Sequence, residues 1–347
     1  MTPLEQLPIP LLEWYGEHAR KLPWRDAPTA YHVWVSEIML QQTRVAAVLD
    51  YYRRFMEAAP TVQDLARMPD EQLMKLWQGL GYYSRARNLK RAAEQIVEQF
   101  GGEFPSRYED IRSLPGIGDY TAGAISSIAF GQPVPAVDGN VLRVVSRLMA
   151  DEADITLPAT KRQVAEKLGD VIPVAQPGQF NQAMMELGAT VCIPNGAPLC
   201  HKCPAAEFCL ARQRNLTDKL PVKAPKKDRR VEERTVFLIF FEKKVALHKR
   251  PAKGLLAGLW EFPNELAPGD NALKSWGIAG TATPGDTGRH IFSHIEWHMR
   301  AVMVEAEGDV LPEGWVWANR QELEHRYAVP NAFRAFETAV AQRLGYF

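Results

Sequence analysis

Three groups of residues in this 347-residue chain have types and spacings suited to chemistry. The first lies between Leu114 and Asn140. Leu-Pro-Gly-Ile-Gly at 114 to 118 sets Gly116 and Gly118 two apart, just before a helical pattern that opens at Asp119-Tyr120-Thr121 and runs to about Phe130. Glycine permits positive φ and close backbone approach. The bare amides of a helix start form an anion site that suits one phosphate of a nucleic-acid backbone. Beyond a Pro-containing loop, Val137-Asp138-Gly139-Asn140 places a carboxylate at the start of the next helix. A phosphate clamp followed by a placed carboxylate suits chemistry on DNA. The structural alternative is a glycine turn between packed helices, with Asp138 an ordinary N-cap.

The second group centres on Glu37. With Gln41 it shares one helix face beside an apolar stripe of Trp34, Ile38 and Val45. A carboxyl at the edge of an apolar pocket has its acid form favoured, above the roughly 4.3 of an exposed Glu, and so becomes a proton donor near neutrality. The plain alternative is a surface Glu pairing with Arg44. The third group is Cys192, Cys200, Cys203 and Cys209, spaced C-x7-C-x2-C-x5-C. Bunched thiols in a chain without a secretory signal read as metal ligands rather than disulfides. They suit a cubane iron–sulfur cluster or a tetrahedral zinc, and spacing alone leaves both open. Either serves better as a structural cap on the helical region than as a redox catalyst.

The elements that must position these groups are helical up to about residue 215. Periodic segments cover about 9–21, 31–42, 44–57, 84–100, 158–172 and 178–190, joined by short loops. Residues 216–234 carry Lys219, Lys223, Lys226, Lys227, Arg229 and Arg230 with Pro221 and Pro225, and read as an exposed basic linker. From Thr235 the period changes. A two-strand hairpin, a strand-rich stretch over 290–305 and a closing helix over 331–344 predict an α+β domain over 235–347. The 41 basic and 41 acidic residues cancel, so a DNA partner must be met by local basic patches rather than an overall field. No apolar run approaches the roughly 18 residues of a membrane span. The expectation is a cytoplasmic monomer, nucleoid-associated if bacterial, with no membrane partner.

The glycine hairpin, an Asp about twenty residues on and the terminal four-cysteine loop together resemble the helix-hairpin-helix DNA glycosylases, which carry a [4Fe–4S] cluster. The family's first cysteine interval holds six residues and this one seven, Ile193 to Leu199. Trp34-Val-Ser-Glu-Ile-Met-Leu-Gln-Gln-Thr43, Gly79-Leu-Gly-Tyr-Tyr83 and Phe180-Asn-Gln-Ala-Met-Met-Glu-Leu-Gly188 narrow the resemblance to the adenine glycosylases of the MutY family.

That resemblance implies roles. Glu37 matches the general acid that protonates adenine N7. Asp138 matches the carboxylate that stabilises the sugar cation, or traps it covalently, before water attacks C1′, a logic like that of glycoside hydrolysis. Tyr120 and Asn140 match residues supporting the site. Gln182, Arg20, Leu22 and Trp24 match the walls of the adenine pocket, and Gln41, Gln42 and Tyr82 match residues that wedge into the duplex. Relatives that cleave the strand carry a lysine where this chain has Tyr120, so a monofunctional enzyme is implied.

Lys249-Arg-Pro251 with Gly254-Leu-Leu-Ala-Gly-Leu-Trp-Glu-Phe-Pro263 resembles the NUDIX-like domain of the same family. The acidic helix that a NUDIX hydrolase needs for magnesium does not follow. Phe292, Ser293 and His294 match the loop that reads 8-oxoguanine; by pattern alone they fit a strand equally well. The implied partner is double-stranded DNA containing A opposite 8-oxoguanine or G.

Overall fold

A helix lined with small and apolar residues on every side belongs in a core. Asp119–Phe130 is such a helix, with Thr121 through Ser127 all buried. In the computed structural model, which describes residues 1–225 and 228–345, the helices Ala30–Leu40 and Pro177–Thr190 pack against it. Lys226 and Lys227 of the expected basic linker lie outside the described residues. Thr29 caps Ala30–Leu40 by accepting from the His32 amide at 3.2 Å, and nearly the whole of that helix is buried. Helix Gly139–Met149 completes the arrangement, its apolar face joining Leu7, Leu11, Phe180 and Leu187 in one core. Among the described residues, no helix is long and apolar enough to cross a membrane.

The sheet is built from β1 (Arg230–Phe241), β2 (Lys244–Lys249), β3 (Trp260–Glu261), β4 (Asn264–Leu266), β5 (Gly280–Ile291), β6 (Ile295–Ala306) and β7 (Trp315–Ala318). Its main path runs β3-β2-β1-β6-β5, with β4 on β1 and β7 on β2. β1 and β6 are parallel, in register from Arg230 opposite Ile295 to Phe240 opposite Glu305. Both faces of β1 are covered, which explains its unbroken apolar run. Val236, Leu238 and Phe240 meet Trp297, Phe333 and Phe336, while Phe237 and Ile239 meet Ala272, Ile278 and Val304 on the other side.

The chain divides into two compact units, and the division is not colinear. One holds Met1–Arg67 and Asn88–Pro225; the other holds Met68–Arg87 with the described part of Lys226–Phe347. The basic linker is also shorter than its charge suggests. Leu220 is buried, its carbonyl accepting from Arg147 Nε at 2.9 Å, and the Val222 carbonyl accepts from the Ile155 amide at 3.1 Å. At its far end Arg230 to Arg234 already belong to β1, where Glu232 pairs with Arg230 and Arg234 and cancels the charge that reads as solvated. The stretch 290–305 is two strands with a turn between them, and the closing helix begins as the 3-10 turn Asn331–Phe336 before Glu337–Arg343.

Candidate active site

Glu37 sits in the middle of a buried helix and is itself only 7% exposed. The Tyr120 hydroxyl, from the second turn position of Asp119–Phe130, donates to Glu37 Oε2. Burial pushes the Glu37 carboxyl up to about 7; the Tyr120 hydrogen bond works against that shift, and the negative charge of Asp138 adds to it. A carboxyl in this state holds a proton at neutrality and can release it.

Asp138 is both things that its sequence position allows. It caps helix Gly139–Met149, Oδ1 accepting from the Val141 amide at 2.8 Å, and it lines the same cavity as Glu37. Burial raises its pKa, opposed by the Val141 amide and by Asn140, whose Nδ2 donates to Oδ2 at 2.7 Å. Two carboxylates thus share one site in different surroundings, one short of donors and one well supplied. Such a division separates an acid from an anion.

The cavity has a volume of about 1180 Å³. Arg20, Leu22, Trp24 and Gln182, which the resemblance gives to the pocket walls, line it, and so do Gln41, Gln42 and Gly118. Gly116 is not at the wall. At φ +78° it shapes the turn below, and an added Cβ would lie 2.7 Å from Asn88 Cβ. Two wall residues escaped the sequence reading. Glu186 is fully buried, and its oxygens accept from Arg20 Nε at 2.5 Å and Arg25 Nη2 at 2.8 Å. Burial pushes Glu186 up, but Arg20 and Arg25 outweigh it and hold the carboxyl below its usual value. A Glu flanked by the buried Ala183, Met184, Leu187 and Gly188 of its helix was the available signal, since a buried charge must be paired.

Helix Gly139–Met149 also joins this site to the cysteine loop. Arg143 donates to Asn140 Oδ1 at 2.8 Å, to the Gly188 carbonyl at 2.8 Å and to the Cys192 carbonyl at 2.8 Å. Gly188 lets the two helices meet there, because an added Cβ would stand 2.6 Å from Asn140 Cβ. One turn on, Arg147 Nη1 lies 3.3 Å from Cys192 Sγ and donates to the Ile193 carbonyl at 3.0 Å. Cys192, Cys200, Cys203 and Cys209 are all free thiols lining one small apolar cavity. Burial pushes Cys203 up to about 12 and also raises Cys209. Among the described residues, no group of three or more His, Cys, Asp or Glu is placed to hold a single metal ion.

The remaining predicted residues belong to the other unit. Tyr82 is 45% exposed in a loop where Gly79, Gly81 and Tyr82 all have positive φ. Phe292-Ser293-His294 forms the turn between β5 and β6, closed by the Phe292 amide donating to the Ile295 carbonyl at 2.8 Å. Phe292 packs edge-on against Trp297, leaving Ser293 and His294 exposed as a mutually hydrogen-bonded pair at 3.2 Å. After Pro263, where a magnesium-binding acidic helix would have to follow, the chain forms β4 against β1.

Comparison with known proteins places this geometry. Residues 35–173 match the model of the HhH-GPD superfamily of base excision DNA repair proteins, and residues 235–338 match that of the NUDIX domain. A thermostable thymine-DNA glycosylase of known structure superposes with a TM-score of 0.56 at 26% identity, over 61% of this chain and 97% of that one. Endonuclease III in a non-covalent DNA complex shares the fold, with a TM-score of 0.52 at 24% identity, over 62% of this chain and 99% of that one. The adenine DNA glycosylase of Homo sapiens is 37% identical over 395 residues, covering 93% of this chain and 72% of that protein. Identity sustained across both units goes beyond a shared helical fold: the chain belongs to the adenine DNA glycosylase family and is a DNA N-glycosylase.

Proposed function

We propose that this protein removes adenine mispaired with 8-oxoguanine or guanine in duplex DNA, by hydrolysing the N-glycosidic bond and leaving the strand intact. The observation that carries the reading is Glu37, a buried carboxyl at the cavity wall with its pKa raised to about 7. Its proton goes to adenine N7, the C1′–N9 electron pair leaves with the base, and water adds to the sugar cation, giving up its proton to the Glu37 carboxylate. Asp138 is the anion at that cation, held by Asn140 and the Val141 amide. Tyr120 has no amine to form a Schiff base, so no strand cleavage follows. Extruding the base costs a few kcal/mol of stacking, which Gln41, Gln42 and Tyr82 offset by filling the gap. Ser293 and His294 supply a hydroxyl and an imidazole for the altered edge of 8-oxoguanine opposite.

The four cysteines fit an iron–sulfur cluster better than a single zinc. Their thiols wall a cavity rather than gather as a set for one ion, and the Arg147 guanidinium stands by as counter-charge to thiolates that burial disfavours. Cys192, Cys200, Cys203 and Cys209 would hold a [4Fe–4S] group, which when bound supplies a structural clamp on the loop. Iron and acid-labile sulfide measured per chain, against zinc, decides between them.

Single-turnover reactions on end-labelled duplexes with A opposite 8-oxoguanine, C opposite 8-oxoguanine and T opposite G, with and without hot alkali, test the function. Alkali-dependent breaks at A alone support it, with a rate that falls as pH rises through about 7. Breaks at T, or breaks without alkali, overturn it.

A further inference from the structure

The Met68–Arg87 segment belongs to the same compact unit as the sheet, although some 140 residues of the helical unit separate them in sequence. Its loop is strained. Gly79, Gly81 and Tyr82 have φ of +103°, +72° and +47°, and a tyrosine in the left-handed region persists only where its surroundings hold it. Some of that hold is local. Trp77 Nε1 donates to the Gly81 carbonyl at 3.1 Å, and Arg85 Nη2 donates to the Leu80 and Gly81 carbonyls at 3.1 and 3.0 Å.

The rest comes from the far end of the chain. Lys75 Nζ donates to the Leu323 carbonyl at 2.7 Å and reaches that of Tyr327 at 3.4 Å, at the C-terminal end of helix Arg320–His325, where a cation is favoured. Gln78 Nε2 donates to the Val329 carbonyl at 2.7 Å, Arg87 Nη1 donates to that of Ala257 at 2.7 Å, and Asn331 Nδ2 reaches back to Gly79. These acceptors are backbone carbonyls, that of Leu323 in the last turn of its helix and the others in irregular segments. Lys75 in the short helix Asp70–Trp77 and Gln78 at its C-cap supply three of these bonds to the far end of the chain, and Arg87 of the next helix, Ser84–Gln99, supplies the fourth.

We propose that Lys75 and Gln78 are positioning residues that fix Tyr82 in its inserting conformation, so that the C-terminal unit carries the wedge as well as the lesion-reading turn. The inference rests on the wedge role given to Tyr82 above. It assigns the C-terminal unit a part in base extrusion besides recognition of the opposite base.

The test uses full-length protein and duplexes with 2-aminopurine in place of the target adenine opposite 8-oxoguanine. Its fluorescence rises on unstacking, so the signal reports extrusion apart from bond cleavage. Lys75→Met is expected to lower the fluorescence rise and the single-turnover rate about tenfold, the scale of one lost hydrogen bond to a charged donor, and Gln78→Leu, which loses a neutral donor, about fivefold. Lys75→Arg should restore both. Tyr82→Ala should give a similar loss, and Lys75→Met combined with Tyr82→Ala should be no worse than Tyr82→Ala alone. Additive losses, or a Lys75→Met protein that extrudes normally, overturn the positioning role and leave the wedge intact. A Tyr82→Ala protein that extrudes normally overturns the wedge itself, and the proposal with it. Unchanged melting of the Lys75→Met and Tyr82→Ala proteins separates either result from misfolding.

Discussion

Replacing Glu37 with Gln exchanges an ionisable buried group for a neutral one of nearly the same shape, which still accepts from the Tyr120 hydroxyl. The carboxyl rises from its ordinary 4.5 to about 7 in the folded protein. The folded state therefore binds the proton more tightly than the unfolded chain. Stability falls as pH rises from the lower value to the upper and is flat above. At 1.36 kcal/mol per pH unit that gap costs the wild type roughly 3 kcal/mol above neutrality and nothing in acid. Glu37→Gln removes the cost. Thermal unfolding of both proteins between pH ~5 and ~9 should show the variant gaining on the wild type by roughly 5 °C as pH rises, while base release is lost and duplex binding is kept. The other titrating groups are common to the two proteins, and of these Asp138 and Tyr120 are coupled to Glu37, so the difference reads this carboxyl together with the two groups beside it. A melting difference that does not change with pH would refute the reasoning, because Glu37 would then titrate as an exposed acid.

Tyr120→Phe removes the hydrogen bond that opposes the Glu37 shift, so the alkaline limb of the pH–rate profile should move to higher pH; a downward move would count against the assignment. Gly188→Ala drives a Cβ to 2.6 Å from Asn140 Cβ and 3.0 Å from its carbonyl oxygen. It should lose about 1–3 kcal/mol in a melt and most single-turnover activity, since Asn140 cannot stay on Asp138. Arg143→Met strips a charged donor from Asn140, Gly188 and Cys192 together. We expect a loss of about 3 kcal/mol or more, read by thermal denaturation.

The helical site was legible because its signals are local. Glu37 carries its apolar neighbours on its own helix, so its raised pKa follows from spacing. The two readings of Asp138, an N-cap or a carboxylate placed at the site, are compatible, since the cap geometry is what aims the residue at the cavity. Glu186 was hidden because its partners, Arg20 and Arg25, lie more than 160 residues away. β5 was hidden for a different reason. Gly280 to Ile291 has no apolar alternation and is mostly exposed, and it becomes a strand only by pairing with β6 at the sheet edge. The Arg230 end of β1 read as linker because a parallel partner 65 residues on supplies what its own composition lacks.

The placement of Met68–Arg87 also bears on the order of events as the protein is made. Lys75 leaves the ribosome long before Leu323, 248 residues later, exists to receive it. At about 5–20 residues per second, roughly 12–50 s pass in between. Nearly all of the helical unit emerges during that time, since its second segment, Asn88–Pro225, is complete before Leu323 is made. The short helix and its strained loop wait, closing a loop of 248 residues at the end. Any interruption of synthesis before residue 323 would therefore release a protein with its carboxylates in place and its tyrosine unseated.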